Sequence, residues 1–192
     1  MGKAPNIEQS GDPDARRFEA LFHANYPSVL AYALRRADRQ VAEDVVSETF
    51  AVAWRRLGDV PCDELPWLYG VARRTLANQR RSERRRSALI AKLRHEAPAA
   101  AAPRDIADTN AEHAAVVAAL GRLSERDREV LRLVAWEGLD GARAARAAGC
   151  SSGAFAVRLH RARRRLVKEL AVAGHTTNEV ASAREAQTAG EA

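Results

Sequence analysis

The chain has 192 residues, enough for one domain or two small ones, and its 46% hydrophobic content supports real cores that are mostly aliphatic, since aromatics are only 5%. Lysine and arginine number 31 against 25 acidic residues, a net charge of +6 that favours a polyanionic partner over a small acidic ligand. No apolar run is long enough to span a bilayer, the N-terminus carries no signal-peptide core, and Cys62 and Cys150 form no ligand spacing, so the residues predict a soluble cytoplasmic protein with reduced thiols and no metal.

Residues 1–15 are polar, with Pro5, Gly11 and Pro13, and are expected to lack fixed structure. Helical periodicity starts at Phe18 and continues through Leu21, Phe22, Val29, Leu30, Ala33 and Leu34, with Pro27 marking either a kink or a new first turn. In the next segment Ala42, Val46, Phe50, Ala53, Trp54 and Leu57 share one face, and Gly58 is a plausible stop. A polar loop from Gly58 to Leu65 leads to Pro66, which suits the start of a long helix. Between Trp67 and Arg94 that helix carries nine basic residues against the single acid Glu83.

Periodicity vanishes in EAPAAAAPRDIADTN, so residues 96–111 read as a flexible linker. Two further helical stretches follow, with Ser124 a reasonable N-cap for the second. Then comes LDGARAARAAG, a short alanine-rich helix, and Gly149 offers the backbone freedom that a tight turn demands. Ser151 or Ser152 can cap the last helix, where Phe155, Leu159, Ala162 and Leu166 fall at i, i+4, i+7 and i+11 and pack inward. Ala154, Val157, Arg158, Arg161 and Arg165 are left outward, the layout of a helix-turn-helix whose second helix enters the major groove. The fold class is therefore all-α, two small helical domains joined by a strap, at 16–95 and 112–173, with 174–192 a C-terminal tail without fixed structure.

Three strings in order carry a family resemblance. AEDVVSETFAVAW at 42–54 is close to A-E-D-x-x-Q-E-T-F-x-x-A-W; PWLYGVARRTLANQRR at 66–81 is close to W-L-x-x-I-A-R-N-x-x-x-D-x-x-R; LSERDREVLRLVAWEGL at 123–139 is close to L-P-x-x-x-R-E-V-x-x-L-x-x-x-E-G-L. Together they make the chain resemble the extracytoplasmic-function (ECF) group of bacterial sigma-70 factors over about residues 15–172. The resemblance implies that the first module (sigma region 2) binds the clamp helices of the largest catalytic subunit of core RNA polymerase and reads and opens the minus-ten element. It implies that the second (sigma region 4) contacts the polymerase flap and reads the minus-thirty-five element. An anti-sigma factor is a further partner of this kind of protein.

On this reading Asp44, Ser47 and Glu48 stand at the clamp-binding positions, with Ser47 replacing the usual glutamine. For the minus-ten element, Asp59, Asp63 and Asn78 are candidates for reading bases, while Arg73, Arg74, Arg80 and Arg81 hold phosphates. Trp67 and Tyr69 are open between core and stacking platform, with core the commoner role. For the minus-thirty-five element the candidates are Ser151, Ser152, Ala154, Val157, Arg158, Arg161, Arg164 and Arg165. Here the chain departs from its relatives: S-Y-E-E-I-A-E-V-L-G becomes DGARAARAAG, and G-T-V-R-S-R-L becomes GAFAVRL. Phe155 is expected to fill volume lost at Ala144, and Arg158 becomes the leading base reader, since arginine can contact guanine through two hydrogen bonds.

The sequence thus points to a sigma factor that works by binding, without cofactor, small-molecule substrate, membrane contact or catalytic group. His23, His95, His113, His160 and His175 show no ligand spacing. Two rivals are a homodimeric helix-turn-helix repressor, which leaves the 42–54 string unused, and a sigma mimic that binds polymerase unproductively.

Overall fold

The computed structural model describes residues 12–94 and 111–189, and these form seven α-helices in two compact units divided between Ile90 and Ala91. In the first unit, α1 (Pro13–Leu34) begins earlier than the sequence suggests: the Asp12 side chain accepts from the Asp14 amide at 3.1 Å and Pro13 occupies the first turn. Residues 13–15, expected to be unstructured, therefore belong to the helix, whereas residues 1–11 lie outside the described residues. Pro27 stays inside α1 and starts no new helix. Its missing N–H deprives the His23 carbonyl of its helical donor, and both residues are exposed.

The second helix, α2 (Arg39–Arg55), is capped by Asp38, which accepts from the Val41 amide at 2.8 Å. It buries Ala42, Val45, Val46, Thr49, Phe50 and Ala53 against α1. Trp54, expected in this stripe, is instead 47% exposed and meets Phe18 edge-on at 5.1 Å, while Val45 and Thr49 take the inward positions. The buried Thr49 hydroxyl donates to the Val45 carbonyl at 2.6 Å, which removes the cost of burying it. Gly58 does not stop the helix: α2 ends at Arg55, and Gly58 lies in a 3-10 turn, Leu57–Asp59, that inserts Leu57 into the core.

The long α3 (Glu64–Arg94) starts two residues before Pro66. It buries Leu68, Tyr69, Val71, Ala72 and Leu76. Tyr69 stacks on Tyr32 with centroids 4.6 Å apart, which makes it core. Polar bonds fasten α3 and the preceding loop to α1 and the turn that follows it: Asn25 donates to Glu64 at 2.7 Å, Arg17 to the Val60 carbonyl at 3.2 Å, and Arg80 to the Arg36 carbonyl at 2.9 Å. From Arg81 to Ile90 every residue is exposed.

In the second unit, α4 (Ala111–Arg122), α5 (Glu125–Ala135) and α6 (Gly141–Ala148) each pack on α7 (Ser152–Ala189). Ser124 caps α5 as expected, accepting from the Asp127 amide at 3.2 Å. Arg128 closes the preceding corner, donating to the carbonyls of Leu120 at 2.8 Å, Gly121 at 2.8 Å and Leu123 at 3.0 Å, which are the acceptors a helix C-terminus leaves open. Asp140 caps α6, and Gly149 ends it in the left-handed region at φ 67°, where a Cβ would be strained. Of the expected linker, residues 96–110 lie outside the described residues and Ala111 is already helical.

The C-terminal tail differs from expectation. Residues 174–189, predicted to be without fixed structure, continue α7 as helix, and only 190–192 lie outside the described residues. The segment AVAGHTTNEVASAREAQTA holds no proline and several strong helix formers, so its single Gly174, which costs about 1 kcal/mol, does not terminate the helix.

Candidate nucleic-acid and polymerase interface

On the first unit, Asp44, Glu48 and Val52 of α2 and Arg56, the residue just after it, recur every fourth residue and form one wall of a groove of about 700 Å³. The facing wall is Val71, Arg74, Thr75, Asn78 and Gln79 of α3. The α2 wall is polarised, acidic toward its N-terminus and basic at its C-terminus, with Val52 between. Asp44, Ser47 and Glu48 are all exposed. Asp44 has no hydrogen-bond or ion-pair partner among the described residues, Glu48 pairs with Arg55 at 2.9 Å, and the Ser47 hydroxyl donates to the Glu43 carbonyl at 2.9 Å.

Of the residues expected at the minus-ten site, the fold gathers Arg74 and Asn78 in this groove, beside the two carboxylates expected to meet polymerase. Burial first, then repulsion from Arg73 and Arg56, pulls the Arg74 guanidinium below its ordinary range. The others lie outside the groove lining. Asp59 is ion-paired to Arg56 at 2.9 Å, Asp63, Trp67 and Arg73 are half-buried, and Arg81 donates to Asn78. Arg80 spends a donor on the Arg36 backbone. Arg56 is a groove residue that the sequence reading missed; the four-residue recurrence from Asp44 through Glu48 and Val52 was the available signal.

On the second unit, the Ala154 amide donates to Ser151 at 3.2 Å, so Ser151 rather than Ser152 is the cap of α7. Phe155 is 1% exposed and Ala162 fully buried, with Leu159 and Leu166 half-buried beside them. Val157 is 50% exposed, and Ser151, Ser152, Arg158, Arg161 and Arg164 are exposed with it, while Ala154 is half-buried. Arg165 stands apart, because its guanidinium grips the Asp127 carboxylate of α5. Ala144 is fully buried in the same unit as Phe155, consistent with bulk moved from α6 to α7.

The described residues hold no group of three or more His, Cys, Asp or Glu side chains able to bind a metal, and no described helix is long and apolar enough to cross a membrane. Residues 21–86 match the family model for Sigma-70 region 2, and residues 113–166 match that for Sigma-70, region 4. The ECF RNA polymerase sigma factor SigL of Mycobacterium tuberculosis is 31% identical over 166 residues, covering 83% of this chain and 93% of the relative. The chain belongs to the sigma-70 family. It is an RNA polymerase sigma factor of the ECF group, and it directs transcription initiation.

Other relatives agree. The ECF RNA polymerase sigma factor BldN of Streptomyces coelicolor is 30% identical over 167 residues, covering 84% of this sigma factor and 62% of the relative. Among solved structures, the sigma factor RpoE in complex with the anti-sigma factor NepR from Bartonella quintana superposes with a TM-score of 0.61 at 25% identity, covering 82% of this chain and 98% of that one. CnrH in complex with the cytosolic domain of CnrY gives 0.55 at 26%, covering 85% and 92%. A homodimeric repressor would leave the region 2 match at 21–86 without a role.

Proposed function

We propose that the first unit docks on the clamp helices of core RNA polymerase through Asp44, Ser47 and Glu48 and reads and opens the minus-ten element with the loop after α2 and the exposed face of α3. The second unit reads the minus-thirty-five element with α7, led by Arg158 with Val157 beside it, and contacts the polymerase flap. Arg161 and Arg164 serve as phosphate contacts, which supply affinity and salt dependence without sequence information. The protein works by binding energy alone, in the cytoplasm, with no chemistry of its own. An anti-sigma factor is a natural partner, since the solved relatives RpoE and CnrH are bound to NepR and to the cytosolic domain of CnrY.

The observation that carries this reading is the presence of both a region 2 and a region 4 match in one chain, in that order. The test is multi-round transcription from genomic fragments with core polymerase and the purified chain, followed by mapping of transcript starts. Transcripts that begin at a fixed distance from a shared pair of upstream elements are expected. Binding to core polymerase without any transcript would leave only a sigma mimic.

A further inference from the structure

The first helix, α1, carries none of the candidate DNA readers, yet two of its side chains hold the loop between α2 and α3. Arg17, Leu21 and Asn25 fall at i, i+4 and i+8, so they form one stripe about 12 Å long. Leu21 is buried at its centre, and the two polar residues meet the two ends of the loop. Nη2 of Arg17 donates to the Val60 carbonyl at 3.2 Å, and Asn25 donates to the Glu64 carboxylate at 2.7 Å, where α3 begins.

The Asn25 end is built for one geometry. Asn25 is only 7% exposed, and its amide nitrogen donates both to Glu64 and to the Leu21 carbonyl at 2.9 Å. Both partners are acceptors, which fixes the orientation of the amide. The bond to Glu64 is charge-assisted, about twice as strong as one between neutral groups. At the other end Leu57 and Val60 are buried, and Pro61 fixes its own φ. The chain is thus anchored at Val60 and again at Glu64, and only Pro61, Cys62 and Asp63 bridge the gap. Pro61 and Cys62 are exposed and Asp63 is half-buried. A loop already held in its bound shape loses less conformational entropy on binding, and it cannot adjust itself to a wrong partner.

We propose that Arg17 and Asn25 are positioning residues for the reading of the minus-ten element. Acting through the Val60 carbonyl and the Glu64 carboxylate, they fix the tip formed by Pro61, Cys62 and Asp63 in the shape that discriminates among bases. Neither touches a base. This rests on the reading of that loop as part of the minus-ten site, and it gives α1 a share in sequence discrimination from behind the loop.

The test uses holoenzyme assembled from core polymerase and the full chain, with a single-substitution library of a promoter found by transcript mapping. Wild-type holoenzyme is expected to prefer the natural base about tenfold or more at several minus-ten positions. Arg17→Ala, and Asn25→Asp, which sets a second carboxylate against Glu64, should each cut that preference about three- to tenfold at one or two of those positions and not at the rest. Preference at the minus-thirty-five element and capture by core polymerase should not change. Adding Glu64→Gln to Asn25→Asp reverses the direction of the bond, amide to carboxylate, and should restore the preference. A nitroxide on the exposed Cys62, in a Cys150→Ser background, should become more mobile in free Arg17→Ala and Asn25→Asp protein. If both variants keep the wild-type preference at every minus-ten position, positioning is overturned while the sigma reading stands. If they instead weaken all positions alike or lose core polymerase, the two side chains only stabilise the first unit and the proposal is equally overturned. If wild-type holoenzyme initiates transcription but prefers no base in the minus-ten element, the reading of the loop falls and takes the proposal with it.

Discussion

Arg165 lies on the helix that the sequence assigns to DNA, yet its guanidinium grips Asp127, so removing it should act first on the fold. The Asp127 side chain is only 10% exposed, whereas that of Arg165 is 59% exposed, so the pair is dry at one end and wet at the other. Breaking a fully buried pair costs about 3–5 kcal/mol and an exposed pair contributes about 0–1 kcal/mol. The Ser124 hydroxyl, which donates to Asp127 at 2.8 Å, remains to satisfy the carboxylate. Arg165→Ala should therefore destabilise the second unit by about 1–2 kcal/mol, between those limits.

The chain suits the measurement, because Trp136 is the single tryptophan of the second unit while Trp54 and Trp67 lie in the first. In a Trp54→Phe, Trp67→Phe background, urea unfolding followed by Trp136 fluorescence reports the second unit alone, which avoids fitting two domains as one transition. A cycle with Asp127→Asn and Arg165→Gln should give a coupling near 1 kcal/mol, well above the few tenths expected of independent sites. A coupling below about 0.3 kcal/mol would mean that the ion pair does not hold α7 to α5. Loss of DNA binding in an Arg165 variant could then be credited to a direct contact.

Asp44→Arg combined with Glu48→Arg should abolish capture by core polymerase while far-UV circular dichroism is unchanged, since both side chains are exposed; undiminished capture removes the clamp assignment. Arg158→Ala should cost ~1–3 kcal/mol on the preferred promoter and relax one base position, as seen by binding to a single-substitution promoter library. Arg164→Ala should weaken all library members alike and reduce the salt slope, and identical behaviour of the two variants would erase the division between reading and phosphate contact. Gly149→Ala places a Cβ at φ 67° and should lower the second unit's stability by about 1 kcal/mol in the same Trp136 assay. Phe155→Ala, emptying a site only 1% exposed, should cost about 3–5 kcal/mol.

Much of the molecule was legible without coordinates. The cap at Ser124, the turn at Gly149 and the inward stripe of Phe155 and Ala162 depend on residues within about four positions of one another, and such local geometry follows from helix periodicity and backbone sterics. The family could be read because its strings are contiguous, each lying along a single helix or a helix and its cap. Past residue 174 the helix runs on to Ala189, since nothing in that segment interrupts a helix already under way.

The amino-acid order was sufficient to place the helices, divide the chain into two modules and name the family, because each of those conclusions rests on short-range pattern. Only packing could decide which side chains meet. Trp54 and Val45 exchanged their expected places once α2 settled on α1, and Arg80 came to donate to the Arg36 carbonyl 44 residues away. Arg165 met Asp127 across 38 residues, and Arg56 came to face Arg74 across a groove that neither helix forms alone. Such meetings depend on how the ridges of one helix settle into the grooves of another, and periodicity along a single helix carries no information about that angle.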